Sequence, residues 1–232
     1  MNRTAFFYFL LILFLFFSCK NQKKSGSSGD ADSELLYLDY QLTGEEGFDK
    51  LTLLALVRDG GPTGQGVLLK KPSGLKLDDE DFVVDSSAMD GVFYELYKTP
   101  EELKGEHSIV FTTIGENKYS NRFDFTPLTL LTPLPDTLRK EDILLELGGV
   151  DNIDEIRLLL TDTSFLGNGI NRPDSVIDGK LLLKKEYLDK LAVGPVQLEL
   201  VMEKETDLDE SLAEGGRFYV YYTLRREFIL VD

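Results

Sequence analysis

The chain carries one plan of strands and turns twice, and that repeat restricts its fold more than any other feature. The stretch Glu34–Leu42 is matched by Glu141–Leu147. Phe48-Asp49-Lys50-Leu51 is matched by Ile153-Asp154-Glu155-Ile156. The strands that follow end in Asp59 and in Asp162, and each is trailed at the same spacing by Gly-x-Gly, at Gly64-Gln65-Gly66 and Gly167-Asn168-Gly169. Asp90-Gly91 and Asp178-Gly179 then open a further strand, and a short corner closes on Gly105 or Gly194. Each half finishes with a hairpin: Glu106–Thr113 with Tyr119–Phe125, and Val196–Glu203 with Arg217–Val231. Self-similarity in this order predicts two copies of one supersecondary unit. Short strands separated by Gly, Asp and Pro turns make each unit a β-sandwich. The competing reading is one larger all-β domain.

Within the first copy, Leu36, Leu38, Tyr40 and Leu42 share a face at period two, which describes a half-buried strand. Lys50–Arg58 is almost wholly apolar and reads as a central strand buried on both sides. Shorter strands are expected at Val67–Lys71, Phe82–Val84 and Val92–Lys98. Thr99-Pro100-Glu101-Glu102-Leu103-Lys104-Gly105 predicts a single helical turn, with Pro at its first position and Gly at its end. Between the copies, residues 126–139 hold three prolines and Leu128, Leu130, Leu131 and Leu134. So apolar a junction is expected to pack between the domains rather than swing freely.

The N-terminus addresses the chain. Arg3 precedes an apolar run from Ala5 to Phe17, followed by Ser18 and Cys19. A signal peptide needs a basic head, an apolar run of roughly 7–15 residues and a small residue before the cut. The run is too short to span a bilayer core, which takes about 20 apolar residues. Ser18-Cys19 at its end resembles a lipobox, the site where bacterial lipoproteins are cleaved and acylated. That resemblance implies removal of residues 1–18 and a lipid on Cys19. Cys19 is the one cysteine in the chain, so no disulfide and no thiolate metal site is expected elsewhere. Residues 19–33 (Lys20-Asn21-Gln22-Lys23-Lys24, then Gly and Ser) read as a flexible tether.

Composition narrows the partners. There are 25 Lys and Arg against 41 Asp and Glu, a formal net charge of −16. Such acidity argues against nucleic acid as a ligand. The single His107 has no cysteine partner, and the chain has no Gly-x-Ser-x-Gly elbow. Gly60–Gly66 lacks the Lys-Ser/Thr ending of a phosphate loop and precedes a strand, so it reads as a plain loop. The acidic clusters Asp78–Asp81, Asp151–Glu155 and Asp207–Glu210 lack the alternating ligand ladder of a calcium loop. They read as solvated loops, Asp207–Gly216 being the longest. No catalytic residue, metal ligand or cofactor is therefore expected. The densest aromatic stretch is Phe218-Tyr219-Val220-Tyr221-Tyr222. Alternation sends Phe218, Val220, Tyr222 and Leu224 to the core and Tyr219, Tyr221 and Thr223 outward. Tyr219 and Tyr221, with Asp207 and Asp209 in the neighbouring loop, form the candidate ligand surface.

The signal with Ser18-Cys19 and the repeated pattern together resemble Bacteroidota cell-envelope lipoproteins with immunoglobulin-like domains. The resemblance implies an all-β fold of two tandem immunoglobulin-like β-sandwiches, at 34–127 and 140–232, joined by the junction 128–139. It also implies anchorage in a Gram-negative outer membrane. The absence of an acidic run after Cys19, a surface-export mark in some such lipoproteins, favours the periplasmic side. The resemblance further implies a non-catalytic binding or scaffold role, with an envelope protein or a glycan as partner. The alternatives are a glycan-binding lipoprotein of an outer-membrane uptake system and a carboxylate-dependent glycoside hydrolase. Cys19→Ala is expected to move the protein from the membrane fraction to the soluble one. Mass spectrometry of the wild-type chain is expected to find an acylated N-terminus at Cys19.

Overall fold

The computed structural model describes residues 35–88, 91–150, 155–164 and 169–232. The signal, Cys19 and the tether lie outside the described residues, as do Asp90, Asp151–Asp154 and Gly167-Asn168. The chain is all-β. In the first half the strands are β1 (Leu36–Glu45), β2 (Leu51–Asp59), β3 (Gln65–Gly66), β4 (Gly74–Leu77), β5 (Glu80–Asp81), β6 (Val83–Ser87), β7 (Gly91–Lys98), β8 (Gly105–Thr112) and β9 (Lys118–Phe125), with the one-turn helix α1 (Pro100–Leu103) between β7 and β8. The second half holds β10 (Thr129–Leu130), β11 (Thr137–Arg139), β12 (Ile143–Gly148), β13 (Glu155–Asp162), β14 (Ile170–Ile177), β15 (Lys180–Leu183), helix α2 (Lys185–Leu188), β16 (Gly194–Leu212) and β17 (Gly215–Val231).

The repeat is visible in the backbone. Asp178 and Gly179 both have positive φ, 51° and 72°, the conformation of a two-residue hairpin turn between β14 and β15. Gly91 opens β7 with φ 74° in the first half. A one-turn helix comes next in both halves, and Gly105 and Gly194, at φ 106° and 125°, start the next long strand. Helix α1 is held by a capping box: the Glu102 amide donates to Thr99 Oγ1 at 3.2 Å, and the Thr99 amide donates to Glu102 Oε2 at 2.8 Å.

Two layers make the first sandwich. A four-stranded sheet in the order β5-β4-β8-β9 faces the strands β6, β7, β2, β1, β17 and β16 of a larger sheet. Tyr40, Leu53, Leu75, Ile109, Phe111 and Phe125 are buried between them. The Val67–Lys71 segment is not a strand, and the place beside β2 is taken by β3. Tyr94 secures this segment instead: its hydroxyl accepts from the Leu69 amide and donates to the Val67 carbonyl. In the second half, β14 serves two ladders, with residues 170–175 on β13 and residues 176–177 on β15.

The hairpin β16–β17 joins the halves. Its strands have 19 and 17 residues, against a usual range of roughly 3–10. Residues 196–201 of β16 pair with β13, and residues 229–231 of β17 pair with β11. Residues 216–223 of β17 instead run parallel to β1, residues 38–45. The last strand of the chain thus completes the sheet begun by the first, across the expected 128–139 boundary. Buried residues of both halves form a single cluster. The junction contributes unequally to it: Leu128 is fully buried, Leu130 and Leu134 pack against the cluster, and Leu131 is 62% exposed. Leu131 turns outward because β10 pairs along β12, and strand alternation places neighbouring side chains on opposite faces.

Asp207–Gly216 is strand rather than acidic loop. Its turn is only Ala213-Glu214. The ladder shifts register between Asp207, opposite Arg217, and Leu212, opposite Gly215. The surplus residues bulge towards β9, where the Asn121 side chain grips them. Its Nδ2 donates to the Glu210 carbonyl and its Oδ1 accepts from the Glu210 amide, both at 2.9 Å. Leu208 folds over Gly216, where a Cβ would lie 2.6 Å from Leu208 Cδ1.

Tyr222 tests the sharing of this hairpin. It is buried edge-on to Phe125 at 5.7 Å, against Gly44, whose place admits no side chain beside Leu51 and the Tyr222 ring. Tyr222→Ala is expected to lower stability by about 3–5 kcal/mol in urea unfolding, with both halves lost in one transition. Two separated transitions, with only the first displaced, would contradict the shared hairpin.

Candidate functional site

Strand pairing builds an outer face across β7, β2, β1, β17 and β16. One rung reads Tyr97, Thr52, Thr43, Tyr221, Glu203; the next reads Glu95, Leu54, Gln41, Tyr219, Glu205; a third reads Leu56, Asp39, Arg217, Asp207. Strands lie about 4.8 Å apart, so a rung of five spans roughly 19 Å. Tyr219 and Tyr221 are half-buried on this face, as alternation along β17 requires. Thr223 shares the face but is buried, together with Leu56 and Val201.

Ion pairs organise the face. Asp39 is only 2% exposed. Arg217 Nε donates to Asp39 Oδ1 at 2.9 Å, while Arg217 NH1 reaches Glu205 at 2.8 Å. Gln41 Nε2 donates to the second Asp39 oxygen at 3.1 Å, and Arg58 Nε stands 3.7 Å from it. The hydrogen bond to Asp39 raises the Arg217 pKa further, keeping its charge fixed. Arg157 on β13 forks onto Glu203 at 3.1–3.3 Å. Arg225 bridges Glu45 at 2.7 Å and Glu199, and Arg226 binds Glu46. These pairs stitch β17 to the end of β1. At the far edge Lys50 Nζ sits 3.3 Å from the centroid of the Tyr97 ring. Burial, and after it the Glu203 carboxylate, pushes the Tyr219 hydroxyl pKa up, so it remains a neutral donor.

The four residues singled out from sequence share one surface only in part. Tyr219 and Tyr221 face outward, and Asp207 stands on the same face opposite Arg217. Asp207 also borders, together with Asp209, the rim of a lateral cleft between β16 and β9. That cleft, about 280 Å³, lies on the inner side of the same strand β17, against Phe218 and Val220. Tyr40 on β1 and Phe123 on β9 also line it. Sequence reasoning placed Tyr40 in the core by its period but carried no sign that its hydroxyl lacks a partner. Asp39 passed unmarked in the sequence, because the partner that explains it, Arg217, lies 178 residues away.

The remaining candidates are tied into structure. His107 Nδ1 contacts Asp78 at 2.9 Å, and its ring lies 5.6 Å from Phe123. Burial acts to raise the Asp78 pKa, but hydrogen bonds from His107 and the Ser108 amide outweigh it and hold the carboxyl below the usual aspartate value. Ser108 points away and meets Ser120 Oγ at 2.9 Å. Arg58 NH1 donates to the Gly64 carbonyl within the glycine loop. Asp78 and Asp79 form the turn between β4 and β5. Among the described residues, no group of three or more His, Cys, Asp or Glu side chains is arranged to hold a metal ion.

No protein-family model matches the chain, and no curated protein is significantly similar to it. Several solved structures are similar at low identity. A structure of DIP-gamma IG1+IG2 is 11% identical, with 81% of this chain and 94% of that chain covered and a TM-score of 0.23. A structure of Titin-A168169 is 9% identical, covering 85% of this chain and 98% of that one, with a TM-score of 0.25. The adhesin InvE of Yersinia pseudotuberculosis is 15% identical, covering 86% of this chain and 61% of that one, with a TM-score of 0.23. Strand pairing and burial within the chain itself define its fold.

Asp39 supplies a direct test of the outer-face network. Arg217→Met would leave its buried charge with Gln41 and the distant Arg58 alone. The expected loss is about 3 kcal/mol in urea unfolding. Asp39→Asn in the Arg217→Met background is expected to recover part of it; equal or greater loss in the double variant would contradict the pairing.

Proposed function

We propose that this chain is a non-catalytic binding and scaffold module of the cell envelope, tethered to a membrane through a lipid on Cys19. The observation that supports this reading is the broad outer face on which Tyr219 and Tyr221 stand among fixed Arg–carboxylate pairs. A face of this kind is pre-organised: its charges already have partners, and its tyrosines supply contact area at low entropic cost. Its width of several strands suits a protein surface or an extended polymer. A small molecule is ordinarily held in a concave site. The tether would let the acidic module stand clear of its own bilayer, since anionic surfaces repel it. The long hairpin holds this face in register with the second half, as a scaffold requires.

A glycan is the second reading, favoured by the half-buried rings of Tyr219 and Tyr221, which can stack on sugar rings. The chain has no Trp for that role.

One experiment separates these readings. A photo-crosslinking amino acid is placed at Tyr221 and, as a control, at Glu116 in the β8–β9 turn. Both proteins are irradiated in intact envelopes, and the adducts are identified by mass spectrometry. A single protein adduct confined to the Tyr221 position is the expected outcome. A glycan adduct there would favour the second reading. Equal adduct patterns from both positions would overturn the assignment of this face.

A further inference from the structure

The lateral cleft beneath the hairpin tip opens on the side of β17 opposite Tyr219 and Tyr221, with Asp207 at its rim bordering both. Its mouth lies between two strand edges that carry no neighbouring strand among the described residues. β16 pairs with β13 only as far as Val201, and β9 ends the four-stranded sheet. Asn121 and Glu210 close one end. Inside, Phe123 and Phe218 are stacked at 4.5 Å between ring centroids, one from each sheet. Ile109, Val220 and Leu208 complete the apolar lining.

Tyr40 belongs to this lining and is 1% exposed. Its hydroxyl is buried without a hydrogen-bond partner. Buried tyrosine hydroxyls ordinarily find one, and leaving such a group unpaired costs roughly 1–3 kcal/mol. The nearby polar side chains are engaged elsewhere. Thr206 Oγ1 points to the Phe218 carbonyl at 3.5 Å, and the Asn121 amide is committed to Glu210. Burial raises the Tyr40 pKa well above the ordinary tyrosine range, so the group is a donor throughout the neutral range. At the rim, Arg122 and Lys204 are offset by Asp124, Asp207 and Asp209, which gives no clear preference for a charged ligand. The volume of about 280 Å³ lies just under the usual span of ligand sites, roughly 300–1,000 Å³, enough for a ring with a short substituent.

We infer that the cleft binds a small, uncharged, ring-bearing molecule whose inner end carries a hydrogen-bond acceptor, such as a carbonyl oxygen, for the Tyr40 hydroxyl. The ring lies against Phe123 and Phe218, and the acceptor satisfies the donor that the fold leaves unpaired.

The test uses the complete chain in detergent micelles, with methyl NMR of Ile109 and Val220, and two probes of similar shape. Acetophenone carries the acceptor; ethylbenzene lacks it. In the wild type, acetophenone is expected to shift both methyl signals and to bind more tightly than ethylbenzene. Tyr40→Phe is expected to weaken acetophenone about tenfold, the worth of one ordinary hydrogen bond, and to leave ethylbenzene unchanged. Thr206→Trp, which fills the mouth, is expected to remove both responses and so corrects for partition into the micelle. Without ligand, Tyr40→Phe is expected to melt at the wild-type temperature or above, since it deletes an unpaired polar group. No acetophenone shift in the wild type would overturn the inference. So would equal effects of Tyr40→Phe on the two probes, or a lowered melting temperature of that variant, which would reveal a partner in the free protein.

Discussion

The pairing of β1 with β17 is the constraint on which the rest of the structure depends. The first strand and the last run parallel over eight residues, Leu38–Glu45 against Gly216–Thr223. Parallel neighbours cannot be joined by a tight turn, and here the whole intervening chain is the connection. Until that ladder forms, the larger sheet of the first sandwich stops at β1. Tyr40 and Leu42 then lack Phe218 and Val220 beside them. Tyr222 reinforces the junction by filling the space that Gly44 leaves open. The hairpin can reach this position because its strands are long enough to serve the second half with one end and the first half with the other.

Polar groups decide the register of that ladder. Sliding β17 by one residue would exchange its two faces, sending Tyr219 and Tyr221 inward and Phe218 and Val220 outward. Asp39 opposes such a slip, because its buried carboxylate is matched by Arg217 directly across the ladder. Buried ion pairs contribute little net stability, yet they penalise arrangements that leave a charge alone. Arg225 with Glu45, and Arg226 with Glu46, repeat the restraint at the other end of β1. Two faces of one strand thereby acquire different uses. The outer one carries tyrosines among paired charges, and the inner one carries the aromatic wall of a cleft.

Much of this was legible in residue order. The period-two runs of β1 and β17, the helical turn begun at Pro100 and ended at Gly105, the Asp178-Gly179 turn and the β8–β9 hairpin are local devices. Each needs only a few neighbouring residues to act, so each leaves its mark in sequence. The acidic run Asp207–Glu210 was misleading for the same reason: charged residues favour a loop in isolation, while here the pairing of Asp207 with Arg217 and the grip of the Asn121 side chain on Glu210 hold the run in the hairpin. The Leu131 side chain was expected inside on hydrophobicity alone, and the short β10 ladder turned it out. The cleft left no mark, because its walls come from β1, β8, β9, β16 and β17.

The sequence by itself determined that the chain is all-β, that its plan is repeated, which residues of its long strands share a face, and where its glycine-marked turns fall. All of this comes from backbone sterics and side-chain period, which act over a few residues. Only the tertiary structure decided that the last hairpin would be shared by both halves. It also decided that Asp39 would meet Arg217 and that the Tyr40 hydroxyl would be left without a partner. Those outcomes depend on contacts between residues more than a hundred positions apart, selected by the burial and charge matching of whole strands.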